Sequence, residues 1–294
     1  MKIFGYLILY YLETLLLKKK PILGGIKLSH DCNLSCLHCH FWKKKGPSLT
    51  FNSAVNILRS MHGIGVRIMI FEGGEPFLWK DDRFDIRSLV NEAKKLFFNV
   101  GITTNGTLPI DIDSDIVWVS IDGLKETHNR IRGECFDKIM TNIENSGHPN
   151  IFAHVTINSL NYKEIPGLVE FLARRVRGIS IQFHYPFEKE DDELFLPFEK
   201  RAMVLDELIR LKKEGFGIAV SYKCLNSLKD NRWKCRPWMI ASADPDGKIT
   251  SGCYVKGRGN ISCEKCGFAV HAEISLAYKG SIGSIQLGRK IFFN

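Results

Sequence analysis

Between residues 26 and 185, six short apolar runs alternate with amphipathic stretches of helical period, and this alternation restricts the fold more than any other feature of the chain. The runs IKLS (26–29), VRIMIF (66–71), FFNVGITT (97–104), IVWVSID (116–122), IFAHVTIN (151–158) and GISIQFHY (178–185) read as strands. Helices are expected near 51–61, 86–96, 125–145, 163–175 and 197–214, the first capped by Thr50 or Asn52. Parallel neighbours need a crossover between them, so regular β-α alternation predicts an α/β fold with helices outside a parallel sheet. Right-handed crossovers curl such a sheet toward a barrel, and functional residues then gather at the carboxyl ends of its strands. A chain of 294 residues, 45% hydrophobic, holds one large domain of this kind and a small appendage.

The polar motifs fall at those carboxyl ends. Cys32, Cys36 and Cys39 follow the first run as CxxxCxxC. Three thiolates leave an odd sulfur after any disulfide, and a structural zinc site wants four ligands. A four-iron cubane on three thiolates keeps one iron open to a small molecule. EGGEPFL follows the second run, with Gly73, Gly74, Glu75 and Pro76. Glycines permit close backbone approach to a ligand, and a carboxylate accepts hydrogen bonds from an ammonium group. Thr103, Thr104 and Asn105 end the third run, Ser120 and Asp122 the fourth, Thr156 and Asn158 the fifth, and Gln182, His184 and Tyr185 the sixth. Beyond the fourth lie His128 and Arg132, which read equally as site residues or as a loop held by salt bridges. His184 reads as an ordinary satisfied polar histidine or as a residue facing a substrate.

The cysteine array, the aromatic pair Phe41 and Trp42 beyond it, and the GGEP loop one β-α unit later resemble the radical S-adenosylmethionine (SAM) enzymes. The resemblance implies a partial (β/α)6 barrel with a small cysteine-rich C-terminal extension. It implies a [4Fe-4S] cluster on Cys32, Cys36 and Cys39 whose open iron chelates SAM, and reductive cleavage of SAM to a 5'-deoxyadenosyl radical that abstracts hydrogen or adds to double bonds. It places SAM against Gly73, Gly74, Glu75, Pro76, Thr104, Asn105, Ser120, Asp122, Arg132, Thr156 and Asn158. Among these, GGEP would take the amino group, Ser120 and Asp122 would contact SAM or order the site, Arg132 would handle the carboxylate, and Thr156 and Asn158 would read ribose or adenine. An external electron donor of ferredoxin or flavodoxin type is also implied.

Composition changes after FGIAVSY (216–222), and five cysteines follow: Cys224, Cys235, Cys253, Cys263 and Cys266. The stretch from Cys235 to the CEKC motif resembles the SPASM extension or its short form, Twitch, although a full SPASM carries more cysteines. The resemblance implies one auxiliary [4Fe-4S] cluster on Cys235, Cys253, Cys263 and Cys266, with Cys224 as a substitute ligand. A four-cysteine zinc site satisfies the same arithmetic. Cys135 and Cys224 read either as hydrogen-atom donors near a radical or as small core residues.

Residues 3–17 are apolar on nearly every face and run into Lys18, Lys19, Lys20 and Pro21. As a helix they span about 22 Å, short of a ~30 Å bilayer core, which disfavours a transmembrane span. No small-residue cleavage site follows them, which disfavours a signal peptide. They form either a buried cap or an interfacial helix, and Tyr6, Tyr10 and Tyr11 beside lysines suit an interface. The final AYKGSIGSIQLGRKIFFN either packs on the barrel or adds to a membrane-facing surface. The net charge of +9 favours anionic partners, and the absence of a basic stripe interleaved with aromatics disfavours nucleic acid. Nine cysteines, seven at metal-like spacings, fit a reducing compartment, hence the cytoplasm or the inner face of its membrane. The expected divisions are an N-terminal helix (1–21), a SAM barrel (22–221) and an auxiliary cluster region (222–294). The expected function is modification of a membrane lipid or isoprenoid. The alternatives are maturation of a ribosomally made peptide or protein side chain and, third, tRNA or cofactor biosynthesis. A non-catalytic electron carrier would have no use for the GGEP loop.

Overall fold

A computed structural model of the protein describes residues 2–16, 18–187 and 192–293. The six expected runs are strands β1 (Leu23–Lys27), β2 (Ile68–Glu72), β5 (Asn99–Thr104), β6 (Ile116–Ser120), β7 (Ile151–Ile157) and β8 (Gly178–Phe183), each parallel to the next. Between β2 and β5, β3 (Lys80–Asp81) and β4 (Phe84–Asp85) form a separate two-stranded ribbon. Helices α2 (Phe51–Gly63), α3 (Ile86–Lys94), α4 (Lys125–Arg132), α5 (Phe136–Glu144), α6 (Ile165–Leu172) and α7 (Phe198–Lys213) connect the strands or follow them. Capping sets the starts of two of these helices: Thr50 accepts from the Ser53 amide, and Asp85 from those of Arg87 and Ser88.

Two apolar clusters join the sheet to these helices. Ile26, Phe71 and Ile102 meet Leu58 and Leu89 in one, and Val119, Val155 and Ile181 meet Ile139 and Leu205 in the other. Side chains alternate along a strand, so Lys27, Glu72, Trp118, Ser120, His154 and Thr156 take the opposite, inner face.

Besides the β3–β4 ribbon, the structure departs from expectation in three places. β1 starts before Ile26 because its LGGIK sequence carries no side chain at residues 24 and 25. A Cβ on Gly25 would lie 2.9 Å from Oε1 of Glu72, and one on Gly24 2.8 Å from Cγ1 of Val66. The single helix expected over 125–145 breaks into α4 and α5 at Gly133, whose φ of +103° glycine adopts without the clash a Cβ would bring. Two unexpected strands, β9 (Ile240–Ala243) and β10 (Ile249–Ser251), extend the sheet to eight strands in the order β10-β9-β1-β2-β5-β6-β7-β8, with β9 parallel to β1.

The sheet is open, as a partial barrel requires. The C-terminal region runs from one edge to the other: β9 pairs with β1, and Gly267 accepts a hydrogen bond from the Phe183 amide at the end of β8. Three further helices, α8 (Tyr222–Ser227), α9 (Ala269–Tyr278) and α10 (Ile282–Phe292), belong to this region. Phe292 of α10 meets the Trp118 ring at 6.0 Å, and Asn99 donates to its carbonyl at 3.0 Å, so the final stretch packs on the sheet.

The N-terminal helix α1 (Lys2–Leu16) is both packed and exposed. Tyr10 is buried with Ile22, Met239 and Tyr278, and Tyr6 stacks on Arg67 at 4.9 Å and meets Phe98 at 5.2 Å. Ile22, Arg67, Phe98 and Met239 stand just before β1, β2, β5 and β9, at the amino ends of the strands. The cysteine loop leaves the carboxyl end of β1, so α1 lies at the end of the sheet away from it. Outward, Leu9 is 63% exposed and Leu16 78%. Among the described residues no helix is long and apolar enough to cross a membrane.

Emptying the Tyr10 site is expected to cost about 3–5 kcal/mol, the range for deleting a buried aromatic side chain. Leu9→Ser with Leu16→Ser is expected to stay within about 1 kcal/mol in total. Urea unfolding of Tyr10→Ala and of the double variant checks both; equal losses would mean that α1 packs by its leucines.

Candidate functional site

The cysteine loop and the GGEP loop are docked backbone to backbone. The Gly74 amide donates to the Ser29 carbonyl at 3.0 Å, and the Glu75 amide to that of Asp31 at 2.8 Å. A Cβ on Gly74 would lie 1.9 Å from the Asp31 oxygen. Gly73 holds φ at +139°, and a Cβ there would come within 2.8 Å of the Ser29 oxygen. The glycines thus admit the backbone of the cysteine loop itself.

Glu75 is 1% exposed, and burial raises its pKa. Its Oε1 accepts from the Thr104 hydroxyl at 2.7 Å and the Phe77 amide at 3.1 Å, and its Oε2 accepts from the Asn105 amide at 2.7 Å. Pro76 opens the short turn that follows. The Asn105 side chain donates to Asn33 at 2.9 Å and points its amide at Sγ of Cys32, 3.7 Å away. Glu75, Thr104 and Asn105 therefore brace the two loops.

Asp122 is the second hub and is fully buried. Its Oδ2 accepts from Nε of Arg132 at 2.6 Å, its Oδ1 from the Thr156 amide at 2.7 Å, and its carbonyl from Asn161 at 2.7 Å. Nη1 of Arg132 lies 3.8 Å from Sγ of Cys36, and Nε2 of His38 lies 3.7 Å from Oδ2 of Asp122. Burial works to raise the Asp122 pKa, yet the Arg132 guanidinium, helped by the Thr156 amide, holds it below the usual carboxylate range. His38, by contrast, is pushed down to about 3 by burial, against the pull of Asp122. The salt-bridge reading of Arg132 is thus realised, and the same residue reaches a cysteine.

The other expected residues divide. Ser120 is buried on the inner face in register with His154, and the Thr156 hydroxyl accepts from Gln182 at 3.3 Å. Asn158 turns into its own loop, accepting from the Leu160 amide at 2.9 Å and donating to the Thr156 carbonyl at 3.3 Å. His128 accepts from the Asp122 amide at 3.2 Å and lies 3.5 Å from Sγ of Cys135. His184 is satisfied by Asp192 at 2.7 Å. The Tyr185 hydroxyl is drawn to the C-terminal region, donating to the Asn260 carbonyl at 2.6 Å and accepting from the Ser262 amide at 2.7 Å.

All nine cysteines are free thiols. Burial pushes Cys36 up to about 11 and raises Cys32, which disfavours thiolates, while Arg132 and Asn105 oppose that shift at the sulfurs themselves. Sulfur ligands suit iron–sulfur clusters, and the donors aimed at Cys32 and Cys36 fit a thiolate-bound group better than a neutral thiol. Nδ1 of His30, Nδ1 of His38 and Nε2 of His40 are also buried without a hydrogen-bond partner among the described residues. Sequence reasoning passed over His38 and His40; their interleaving with cysteines in CLHCH was the available signal. Beside Cys39 a cavity of about 70 Å³ is lined by His38, His184, Tyr185 and Asp192, among others.

Cys235, Cys253, Cys263 and Cys266 lie within electrostatic reach of one another. Burial, then the neighbouring thiols, push Cys235 up to about 12, and burial leads in pushing Cys266 up to about 11. Asn231 donates to the Glu264 carbonyl at 3.0 Å and to that of Cys266 at 2.6 Å, fixing the CEKC turn. Cys224 lies instead in the helical core, its thiol 3.7 Å from the Ala269 carbonyl. Among the described residues no three His, Cys, Asp or Glu side chains converge as for a single metal ion. An ionic group around the buried Lys27 ties this region to the foot of the cysteine loop: Lys27 bonds Glu72 at 2.6 Å and sits 4.0 Å from Asp244, which pairs with Arg258 at 2.7 Å.

Asp122→Asn leaves Arg132 buried beside no carboxylate, an expected loss of about 3–5 kcal/mol at neutral pH. A depressed carboxylate contributes stability that is complete above its unfolded pKa, about 4, and is lost as pH falls through the folded value. The gap between wild type and Asp122→Asn should therefore narrow below about pH 4 in denaturant titrations. A gap constant down to pH 2 would show that the pair contributes nothing.

A family profile described as the Radical SAM superfamily matches residues 26–172. The chain is similar to the Fe-coproporphyrin III synthase of Methanosarcina barkeri, 26% identical over 221 residues, which cover 67% of this chain and 54% of that protein. It is similar to the sporulation killing factor maturation protein SkfB of Bacillus subtilis, 30% identical over 164 residues, covering 51% of this chain and 39% of SkfB. The chain thus spans about half or less of the length of these relatives. Its fold resembles that of Streptococcus suis SuiB, solved bound to its precursor peptide SuiA, with a TM-score of 0.65 at 15% identity, covering 94% of this chain and 68% of that one. With the profile spanning half of the chain, from the first strand through α6, this protein belongs to the radical SAM superfamily of enzymes, whose shared cofactors are a [4Fe-4S] cluster and SAM.

Proposed function

We propose that the chain assembles a [4Fe-4S] cluster on Cys32, Cys36 and Cys39, binds SAM at its open iron, and modifies a peptide or protein side chain. The observation that carries this reading is the docking of the GGEP loop on the cysteine loop, with Arg132 and Asn105 aimed at two of the three sulfurs. When bound, cluster and SAM supply a 5'-deoxyadenosyl radical able to take hydrogen from an unactivated carbon. The protein holds and shields. Arg132 balances negative charge at Cys36, and Asn105 donates toward Cys32. Glu75, Thr104, Asp122 and Asn158 keep the frame rigid, leaving the Gly73–Pro76 backbone, Ser120, Thr156 and the outer edge of Arg132 to meet SAM. The rings of Phe41 and Phe187 pack around His40 at 4.0 and 4.3 Å and exclude water from one side of the loop. In this reading residues 22–221 carry the SAM chemistry, and 222–294 form a SPASM- or Twitch-like region with a second [4Fe-4S] cluster on Cys235, Cys253, Cys263 and Cys266. Electrons come from a ferredoxin- or flavodoxin-type donor.

The substrate assignment rests on two supports. The lipid reading relied on α1 to bring the barrel mouth to a bilayer, but α1 packs at the amino ends of the strands, away from Cys39. Any peripheral membrane contact through Leu9, Leu16 and the exposed Lys18 and Lys19 would engage that far end. SkfB is named for maturation of a killing factor, and SuiB, whose likeness runs into the C-terminal region, was solved with a precursor peptide.

The test is 5'-deoxyadenosine formation by the anaerobically reconstituted, reduced protein, given either the peptide fraction or the total lipid extract of its source. Stimulation by peptide is expected, falling to background with Cys32→Ala, Cys36→Ala and Cys39→Ala together. Stimulation by lipid alone would overturn the substrate class and leave the chemistry standing; no SAM cleavage in any arm would overturn both.

A further inference from the structure

Arg201 lies on the apolar face of α7, on the same stripe as Val204, Leu205 and Leu208, and is 0% exposed. Its Nη1 donates to the Cys266 carbonyl at 2.8 Å. Its Nε and Nη2 are buried and have no hydrogen-bond partner among the described residues. The guanidinium sits over the ring of Phe183 at 4.4 Å and that of Phe198 at 4.7 Å, and no carboxylate among the described residues pairs with it. Ring faces attract a cation but do not accept two further N–H groups at full strength. An arginine stays protonated at neutral pH, so a full positive charge is held in an apolar site with two donors unused among the described residues. A buried charge of this kind is stable only beside an opposite one.

The hydrogen bond to the Cys266 carbonyl ties the guanidinium to the chain that carries the cysteine quartet. Gly267 follows Cys266 directly, and a Cβ on it would lie 2.4 Å from Cβ of Phe183, so this backbone is pressed onto β8 and fixed relative to Arg201. Of the four cysteines, Cys266 is the one whose thiol acts electrostatically on Arg201. Four thiolates around a [4Fe-4S] core of formal charge +2 leave two negative charges, and one-electron reduction leaves three.

We propose that Arg201 is the counter-cation of the auxiliary cluster on Cys235, Cys253, Cys263 and Cys266, and that it raises the reduction potential of that cluster by favouring its more negative, reduced form. The inference rests on the second cluster proposed above. Reduction adds one electron from the external donor and moves no proton. Arg201 acts as a positioning charge and touches no substrate.

The experiment uses the full chain carrying Cys32→Ala, Cys36→Ala and Cys39→Ala, so that all bound iron belongs to the second site. Anaerobic iron–sulfur reconstitution is followed by a redox titration read by electron paramagnetic resonance, for this parent and with Arg201→Met or Arg201→Lys added. Arg201→Met is expected to lower the equilibrium constant for reduction tenfold or more, about 59 mV per tenfold for one electron. Arg201→Lys, which keeps the charge, should stay within a few-fold of the parent. An unchanged potential in Arg201→Met at full iron content overturns the proposal and leaves the cluster standing. If Arg201→Met holds no iron, retention of iron and potential by Arg201→Lys supports the proposal, and loss of iron from both makes Arg201 a packing residue and overturns it. A parent without iron overturns the cluster assignment and the proposal together.

Discussion

The ion pair between Asp122 and Arg132 is the contact on which the candidate site depends. Both groups are out of water, where two charges are tolerated only if their remaining donors and acceptors are also used. Asp122 uses both of its oxygens, taking the amide of Thr156 as well as Nε of Arg132, and Arg132 also reaches Cys36. The pair therefore joins the end of β6, helix α4, strand β7 and the cysteine loop in one polar network. Such a network is rigid when complete and costly when any member is removed. The GGEP loop supplies the other half of the frame, through the Glu75 carboxylate and through backbone contacts so close that two consecutive glycines are needed there and a side chain at either would collide with the cysteine loop.

The C-terminal region completes the open sheet without closing it. At the β1 edge it is held by strand pairing and by the buried Lys27 with the partly buried Glu72, Asp244 and Arg258. At the β8 edge it is held by the Phe183 amide, the Tyr185 hydroxyl and Arg201. This region, with its short strands, is anchored at the two edges it joins, and a buried cation stands at each.

Much of this was legible in the sequence because the six parallel strands are short, mostly apolar runs separated by clean helical periods. The strand β9 was not legible: its IASA sequence is short and small, and pairing with β1 and β10 makes it a strand. Gly133 hid the break between α4 and α5, since a lone glycine inside a helical pattern is often tolerated. The cysteine and GGEP motifs were visible from spacing, but the partners of their polar residues were not. Asp122 and Arg132 meet because α4 turns back across the end of β6, and nothing in their ten-residue separation announces it. Arg201 reads in the sequence as one more charge on an amphipathic helix; its burial follows from the later arrival of the CEKC turn against β8. Cys224 looked like a spare ligand, and the helical core claims it.

The placement of α1 has a consequence for how such an enzyme can be held in the cell. Its tyrosines grip the amino ends of the strands, and its leucines Leu9, Leu12 and Leu16 face outward from that pole. The cavity beside Cys39 opens at the opposite pole. Whatever covers those leucines leaves the approach to the cysteines unobstructed, so mooring and turnover do not compete for the same ground. A mooring at that pole changes how often a substrate is met, through local concentration, and leaves the aperture that admits it unaltered.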